Sequence, residues 1–135
     1  MGNPVESAPN ASLCLSVLEE RLAVCRLDPG SEIPAWATPP SFFSVTRTPD
    51  ELSIVCPEHN VPAGVAHEGG WCALKLEGPL DFGLVGVLAS VAVPLAQSEV
   101  GILAIATYDT DYVLVKESRL DLALSKLRER GHEVR

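Results

Sequence analysis

"VGILAIATYDTDYVLVK", Val100 to Lys116, is the stretch whose reading decides the fold. It reads as two strands, Val100–Thr107 and Asp111–Lys116, meeting at a polar tip. Runs of apolar, β-branched residues on both sides of a short polar break are a hairpin signal. Two features are unusual. The tip carries two carboxylates, Asp109 and Asp111, and no glycine. The incoming strand is apolar from Val100 to Ala106 at every position except Gly101, whereas a sheet with one wet face should alternate. That face, or that edge, therefore calls for cover from the first half of the chain or from a second subunit.

Outward from the hairpin the pattern stays regular. Upstream, "WCALKLEG", Trp71–Gly78, is a predicted strand, and Leu80–Gln97 is a predicted helix. Leu84, Val85, Leu88, Val91, Ala92 and Leu95 recur at helical spacing. Asp81 is placed to cap that helix and Pro94 to bend or end its last turn. Downstream, Ser118 and Asp121 resemble a capping box. Leu120, Ala123, Leu124 and Leu127 form an inner face, Gly131 stops the helix, and "HEVR" supplies a last strand. The order is β-α-β-β-α-β, the ferredoxin-like arrangement of a four-stranded sheet with two helices on one face.

The first half is different. Residues 1–11 read as a disordered lead without the basic and apolar regions of a secretory signal. Ser12–Leu27 reads as two strands joined at Glu19-Glu20-Arg21. A Pro- and Gly-rich loop follows, Asp28–Ser41, with one helical turn around Glu32–Trp36. Phe42–Thr48 and Leu52–Pro57 are two more strands. The sequence thus divides into the lead, a strand-rich unit at 12–60 and a second unit at 61–135, beginning in the connector Glu58–Gly70.

Composition narrows the function. The chain of 135 residues is 47% hydrophobic but only 5% aromatic, so its core is aliphatic. A formal charge of −8 repels phosphate backbones and anionic bilayers, which argues against nucleic-acid and membrane partners. Stacking aromatics of the kind RNA-binding sheets expose are also missing. Leu84–Ala96 is too short to span a bilayer. A cytoplasmic protein is expected. Cys14, Cys25, Cys56 and Cys72 form no C-x-x-C pair and read as small buried hydrophobes. Cys56, His59, His67 and Cys72 have spacings that match no common zinc site, so no metal and no cofactor is expected. No nucleophile elbow or triad pattern is present, so no enzyme is expected.

Glu77–Leu120 resembles an ACT domain, and most of all the small tandem ACT-like proteins of bacteria. These are related to the ACT domains of aspartokinases and to the eukaryotic cytosolic arginine sensors. The family's "STY-x-TDY-ILV" stands here as "ATYDTDYVLV", with Ala106 in place of Ser. "FFSVTRTPDELSIVCPE" carries a weaker likeness. The resemblance implies an α+β fold: an ACT domain in the C-terminal half packed with a degenerate, strand-rich ACT-like unit. It also implies an amino-acid ligand at the seam between units, a homodimer and a regulated partner.

A free amino acid is a zwitterion and needs both an anion cradle and a cation partner. The strand-to-helix turn with Gly78, Leu80, Phe82, Gly83 and Gly86 supplies backbone N–H groups for the carboxylate. Asp111, at the Asp of the family motif, suits the ammonium group, with Thr107 and Thr110 as further hydrogen-bonding residues. Asp109 falls at a variable position and reads as a solvated turn residue. Two rivals stay open: a ligand-free protein–protein interaction module and a small enzyme using the cysteines.

Overall fold

The computed structural model describes residues 12–77 and 86–135. The predicted lead at 1–11, and Asp81 as a cap, lie outside the described residues. Eight strands and two α-helices occur among those described: β1 Cys14–Val17, β2 Leu22–Leu27, β3 Ser44–Arg47, β4 Leu52–Pro57, β5 His67–Leu76, α1 Val87–Gln97, β6 Ile102–Ala106, β7 Asp111–Lys116, α2 Leu120–Glu129 and β8 Glu133–Val134. From β5 onward the order is the predicted β-α-β-β-α-β in an α+β fold.

The chain divides into two compact units, 19–71 and the residues on either side of it, up to 18 and from 72 onward. This differs from an end-to-end division at 60/61, and the reason is β1. It lies antiparallel to β5, Leu15 opposite Leu76, and parallel to β8, Leu15 opposite Val134. Its flanks are tied on both sides: Glu77 N–H donates to the Cys14 carbonyl at 2.8 Å and Arg135 N–H to the Leu15 carbonyl at 2.8 Å. A strand from the first segment therefore enters the sheet of the second. That sheet runs β6-β7-β5-β1-β8.

In this unit Leu15, Leu74, Leu76, Val113 and Val115 meet Val91, Leu95, Ala123 and Leu127 from the helices in one fully buried cluster. The helical pairs are four apart, which puts each pair on one face. Helix α2 begins without the predicted capping box. Residues Glu117–Arg119 form a 3₁₀ turn that runs into the helix with Arg119 as N-cap, so Ser118 sits inside the turn and makes no cap. Gly131, at φ 88°, leaves the helix in the left-handed conformation that favours glycine.

Helix α1 does not stop at Pro94. It continues to Gln97, and Pro94 is buried within it. Proline lacks an N–H, so the carbonyl four residues earlier, that of Ser90, loses its helical partner. His132 replaces it. Its Nε2 lies 3.0 Å from the Ser90 carbonyl, while its Nδ1 accepts the Leu13 N–H at 3.2 Å. The second bond requires a bare Nδ1, which assigns the proton to Nε2 as the donor to Ser90.

The unit 19–71 holds an antiparallel sheet in the order β3-β4-β2 and then the first half of β5. Its core gathers Ala23, Cys25, Ala37, Leu52, Ile54 and Cys56. The helical segments described here are the 3₁₀ turns Ala35–Ala37 and Glu58–Asn60. Burial pushes the Cys25 thiol up to about 11, with the neighbouring Cys56 adding to it; burial also raises Cys56. Both stay protonated as buried hydrophobes.

The apolar strand at Val100–Thr107 turns out to be an edge. β6 pairs with β7, and among the described residues no other strand pairs with it. Leu103, Ala104 and Ala106 are exposed, and Ile102 and Ile105 half-buried. The cover expected from the first half is not supplied along this strand by any described segment.

The proline–histidine compensation gives a double-mutant test. His132→Ala should destabilise by about 2–6 kcal/mol, because the buried Ser90 carbonyl and the partly buried Leu13 N–H lose partners worth about 1–3 kcal/mol each. In a Pro94→Ala background, residue 94 regains an N–H for Ser90, so the same substitution should cost measurably less. Denaturant midpoints of the four proteins give the coupling, and strict additivity would refute the assignment.

Candidate functional site

The β6–β7 hairpin closes through its threonines. Thr107 N–H donates to the Thr110 carbonyl at 2.8 Å. In return Thr107 Oγ1 accepts the Thr110 N–H at 3.2 Å and donates to the Thr110 carbonyl at 3.0 Å. Thr110 is buried, and its own hydroxyl donates to the Leu76 carbonyl at the end of β5. Both hydroxyl protons are thus spent inside the protein. The bond to Leu76 holds the start of β7 against the last residue of β5, next to the predicted cradle.

Asp111 opens β7 and is half-buried. By the alternation of the pleat its side chain shares a face with Val113 and Val115, which pack under the helices. Asp109 is exposed at the tip beside Tyr108, which is 85% exposed. The two carboxylates that the sequence sets side by side therefore stand in different surroundings. The other predicted ligand residues, Gly78, Leu80, Phe82 and Gly83, lie outside the described residues. Gly86, at φ 80°, is the N-cap of α1.

One charged residue beside this region was missed in the sequence. Glu77 is the last described residue before the cradle. Ser16 on β1 donates to its Oε1 at 2.6 Å, and Lys75 Nζ stands 3.8 Å from Oε2. The Ser16 hydrogen bond, with help from Lys75 and Arg135, holds its carboxyl below the usual range against a smaller opposing effect of desolvation. The pairing depends on β1 lying beside β5, which local pattern does not reveal.

The four residues weighed for zinc are dispersed. Cys56 and Cys72 belong to different core clusters. His59 faces Glu20 at 3.9 Å, and His67 Nδ1 lies 2.8 Å from the Val65 carbonyl. Among the described residues no group of three or more His, Cys, Asp or Glu gathers. A cleft of about 260 Å³ opens instead at the C-terminal ends of α1 and α2, lined by Pro94, Gln97, Ser98, Lys126, Glu129 and Arg130. It contains no predicted ligand residue. Arg130 donates to Gln97 Oε1 at 2.5 Å and Lys126 pairs with Glu129 at 3.4 Å, so its cations serve the helix ends.

Thr110→Val keeps the shape and removes the bond to Leu76. It should cost about 1–3 kcal/mol in denaturant unfolding, the penalty of a buried carbonyl left unpaired. Thr107→Val, at an exposed position, should cost less; the reverse order would remove Thr110 from its anchoring role.

The comparisons with known proteins agree with the fold. The family model of the ACT domain matches residues 66–129, and a separate model for an N-terminal domain matches residues 20–64. The cytosolic arginine sensor for mTORC1 subunit 1 of Bos taurus is 30% identical over 97 residues, covering 64% of this chain and 30% of that protein. The human counterpart is 29% identical over the same length. The chain thus spans under a third of these relatives. A solved protein from Agobacterium tumefaciens is 36% identical, with 93% of each chain covered and a TM-score of 0.89. The aspartokinase alpha and beta subunits, at 17% identity and a TM-score of 0.62 over 90% of this chain and 99% of that one, share the fold. No described helix is long and apolar enough to cross a membrane. Residues 66–129 of the chain belong to the ACT domain family.

Proposed function

We propose that this protein binds a small molecule, an amino acid, and regulates a partner protein without catalysing a reaction itself. The observation that carries the reading is the Thr110–Leu76 hydrogen bond, which anchors the hairpin bearing Asp111 to the strand leading into the glycine-rich segment. A fixed carboxylate on the helix-facing side suits an ammonium group, and the N–H groups around Gly78 and Gly83 suit the carboxylate of the same ligand. Leu80 and Phe82 would line it, and the ligand would sit at the seam between ACT-like units. The similarity to proteins described as arginine sensors supports an amino-acid ligand and a cytosolic setting. Regulation then runs through a partner or through the association of two copies, since ligand and partner must favour the same state. The exposed β6 edge favours a second reading, a ligand-free interaction module.

A thermal-shift screen against the proteinogenic amino acids separates the two. A ligand raises the midpoint by mass action; silence across the panel at millimolar concentration selects the interaction module. With the ligand found, Asp111→Asn should weaken calorimetric binding roughly ten- to a hundredfold, the loss of a desolvated charge-assisted hydrogen bond. Asp109→Asn should change it severalfold at most, as for a screened surface charge. Equal affinity for wild type and Asp111→Asn would assign the hairpin carboxylate to the fold.

A further inference from the structure

Among the described residues the exposed large hydrophobics are Ile33, Phe43, Leu103 and Tyr108. Leu103 and Tyr108 belong to the β6–β7 hairpin, whereas Ile33, 50% exposed, and Phe43, 42% exposed, lie on the proline-bearing loop that leads into β3. That loop is tied down along its length. Arg47 on β3 donates to the Pro29 carbonyl and, at 2.7 Å, to the Ser31 carbonyl. Further on, Ala37 is buried with Leu52 and Ile54, and the Trp36 carbonyl accepts from Asn60 Nδ2 at 3.3 Å. Pro29, Pro34, Pro39 and Pro40 restrict the backbone around these ties. Phe43 immediately precedes β3, and by the pleat it lies on the side of Val45, which packs against the same core cluster. Both exposed side chains therefore stand on the loop-bearing side of the sheet. Apolar groups held in place in water are suited to be anchors, because binding has little left to order.

The charges beside them specify the occupant. Leu27 and Arg47 both stand opposite Leu52, so the turn that follows β2 and the turn that precedes β4 lie at one end of the sheet. Together they carry Asp28, Glu32, Asp50 and Glu51, and Ile33 follows Glu32 directly. The arginines at this end are taken up by backbone: Arg26 donates to the Asp50 carbonyl at 3.0 Å and Arg47 to the loop. None of the four carboxylates forms an ion pair among the described residues. A surface of this kind attracts lysine and arginine and turns away acidic partners.

We propose that this face of the unit 19–71 docks a partner protein through a segment that combines apolar side chains with lysine or arginine. The inference rests on the reading that the protein regulates a partner, and it names the surface and the chemistry of that partner. The apolar side chains of the segment seat on Ile33 and Phe43 and supply most of the affinity, as buried anchors do. Its cations meet Asp28, Glu32, Asp50 and Glu51 and set orientation and association rate. A second copy is the wrong occupant. A two-fold contact through this face would set the same four carboxylates against each other, and a self-complementary interface does not tolerate that.

The probe is a displayed library of random peptides selected on the immobilised full chain, with the selected peptides then synthesised and titrated in solution. They should carry lysine or arginine beside apolar residues. Ile33→Ser and Phe43→Ser should each weaken their binding roughly tenfold or more, the loss of an anchor. Glu32→Lys should weaken it severalfold at low salt and less at high salt. Glu19→Lys makes the same change of charge in the turn before β2, at the other end of that strand, and should leave binding unchanged. Glu32 and Ile33 lie in an exposed loop outside the core cluster, so the test does not depend on how Phe43→Ser folds. Selected peptides without cations overturn the proposal. So do peptides whose affinity ignores Ile33→Ser and Phe43→Ser, or falls as much with Glu19→Lys as with Glu32→Lys. A wild-type dimer that Phe43→Ser dissociates also overturns it and assigns the face to a second copy. Amino-acid binding is read separately by thermal shift, so silence there removes the ligand and leaves the docking face standing.

Discussion

A histidine ring holds the C-terminal unit to its helix. Pro94 in the middle of α1 removes a backbone donor, and the carbonyl it orphans, that of Ser90, is in a buried part of the helix. Unpaired, that oxygen would favour breaking the helix there. His132, at 4% exposure, supplies the missing donor and uses its other nitrogen to accept the Leu13 N–H. Three segments far apart in sequence are thereby fixed by one side chain: the helix over the sheet, the entry to β1 and the exit from α2. Val91 and Leu95, on either side of the proline, keep their places against Leu74 and Val113 because the helix does not end early.

The parts legible in the sequence are those set by local pattern. Leu52–Pro57 follows from its apolar run and its proline, β7 from its apolar run after the polar tip, and the end of α2 at Gly131 from glycine's tolerance of positive φ. What local pattern could not give are the features decided by distant partners. Nothing in "CLSV" says that β1 enters the sheet between β5 and β8, since the bonds that put it there come from Glu77, Glu133 and Arg135. Pro94 reads as a bend or an end of the helix's last turn because its rescuer stands 38 positions away. Ser118 reads as a cap, but the 3₁₀ turn at Glu117–Arg119 shifts the helix start past it. Beside the proposed site, Asp111 is read from its motif as a candidate, whereas Glu77 is not legible, because its partner Ser16 lies on the inserted strand.

Electrostatics divides the acidic groups by partner rather than by number. Glu77 has its carboxyl lowered chiefly by the Ser16 hydroxyl. A carboxyl lowered in the folded state adds stability above its unfolded value and loses it as the pH falls through the folded one. Its contribution therefore belongs to neutral pH and fades on acidification. The exchange is local: it joins β1 to β5 at the end of the strand from which the glycine-rich segment departs.

The two carboxylates at the hairpin tip now have separate reasons. A two-residue hairpin loop usually needs left-handed residues, hence glycine or asparagine. Among the described non-glycine residues only Glu99 has a positive φ, so Tyr108 and Asp109 turn the chain without it. The Thr107 hydroxyl makes this possible by taking the Thr110 N–H that a tighter turn would have given to a backbone carbonyl. Asp109 then needs only to be compatible with an exposed turn. Asp111 is under a different constraint: Thr110 is pinned to Leu76, the ladder fixes the residue that follows, and the pleat directs its carboxylate to the helix-facing side. In the proposed site, a carboxylate held there by its neighbours would not have to reorganise on meeting the ligand's ammonium group, and preorganisation of this kind strengthens binding by removing the cost of ordering the site.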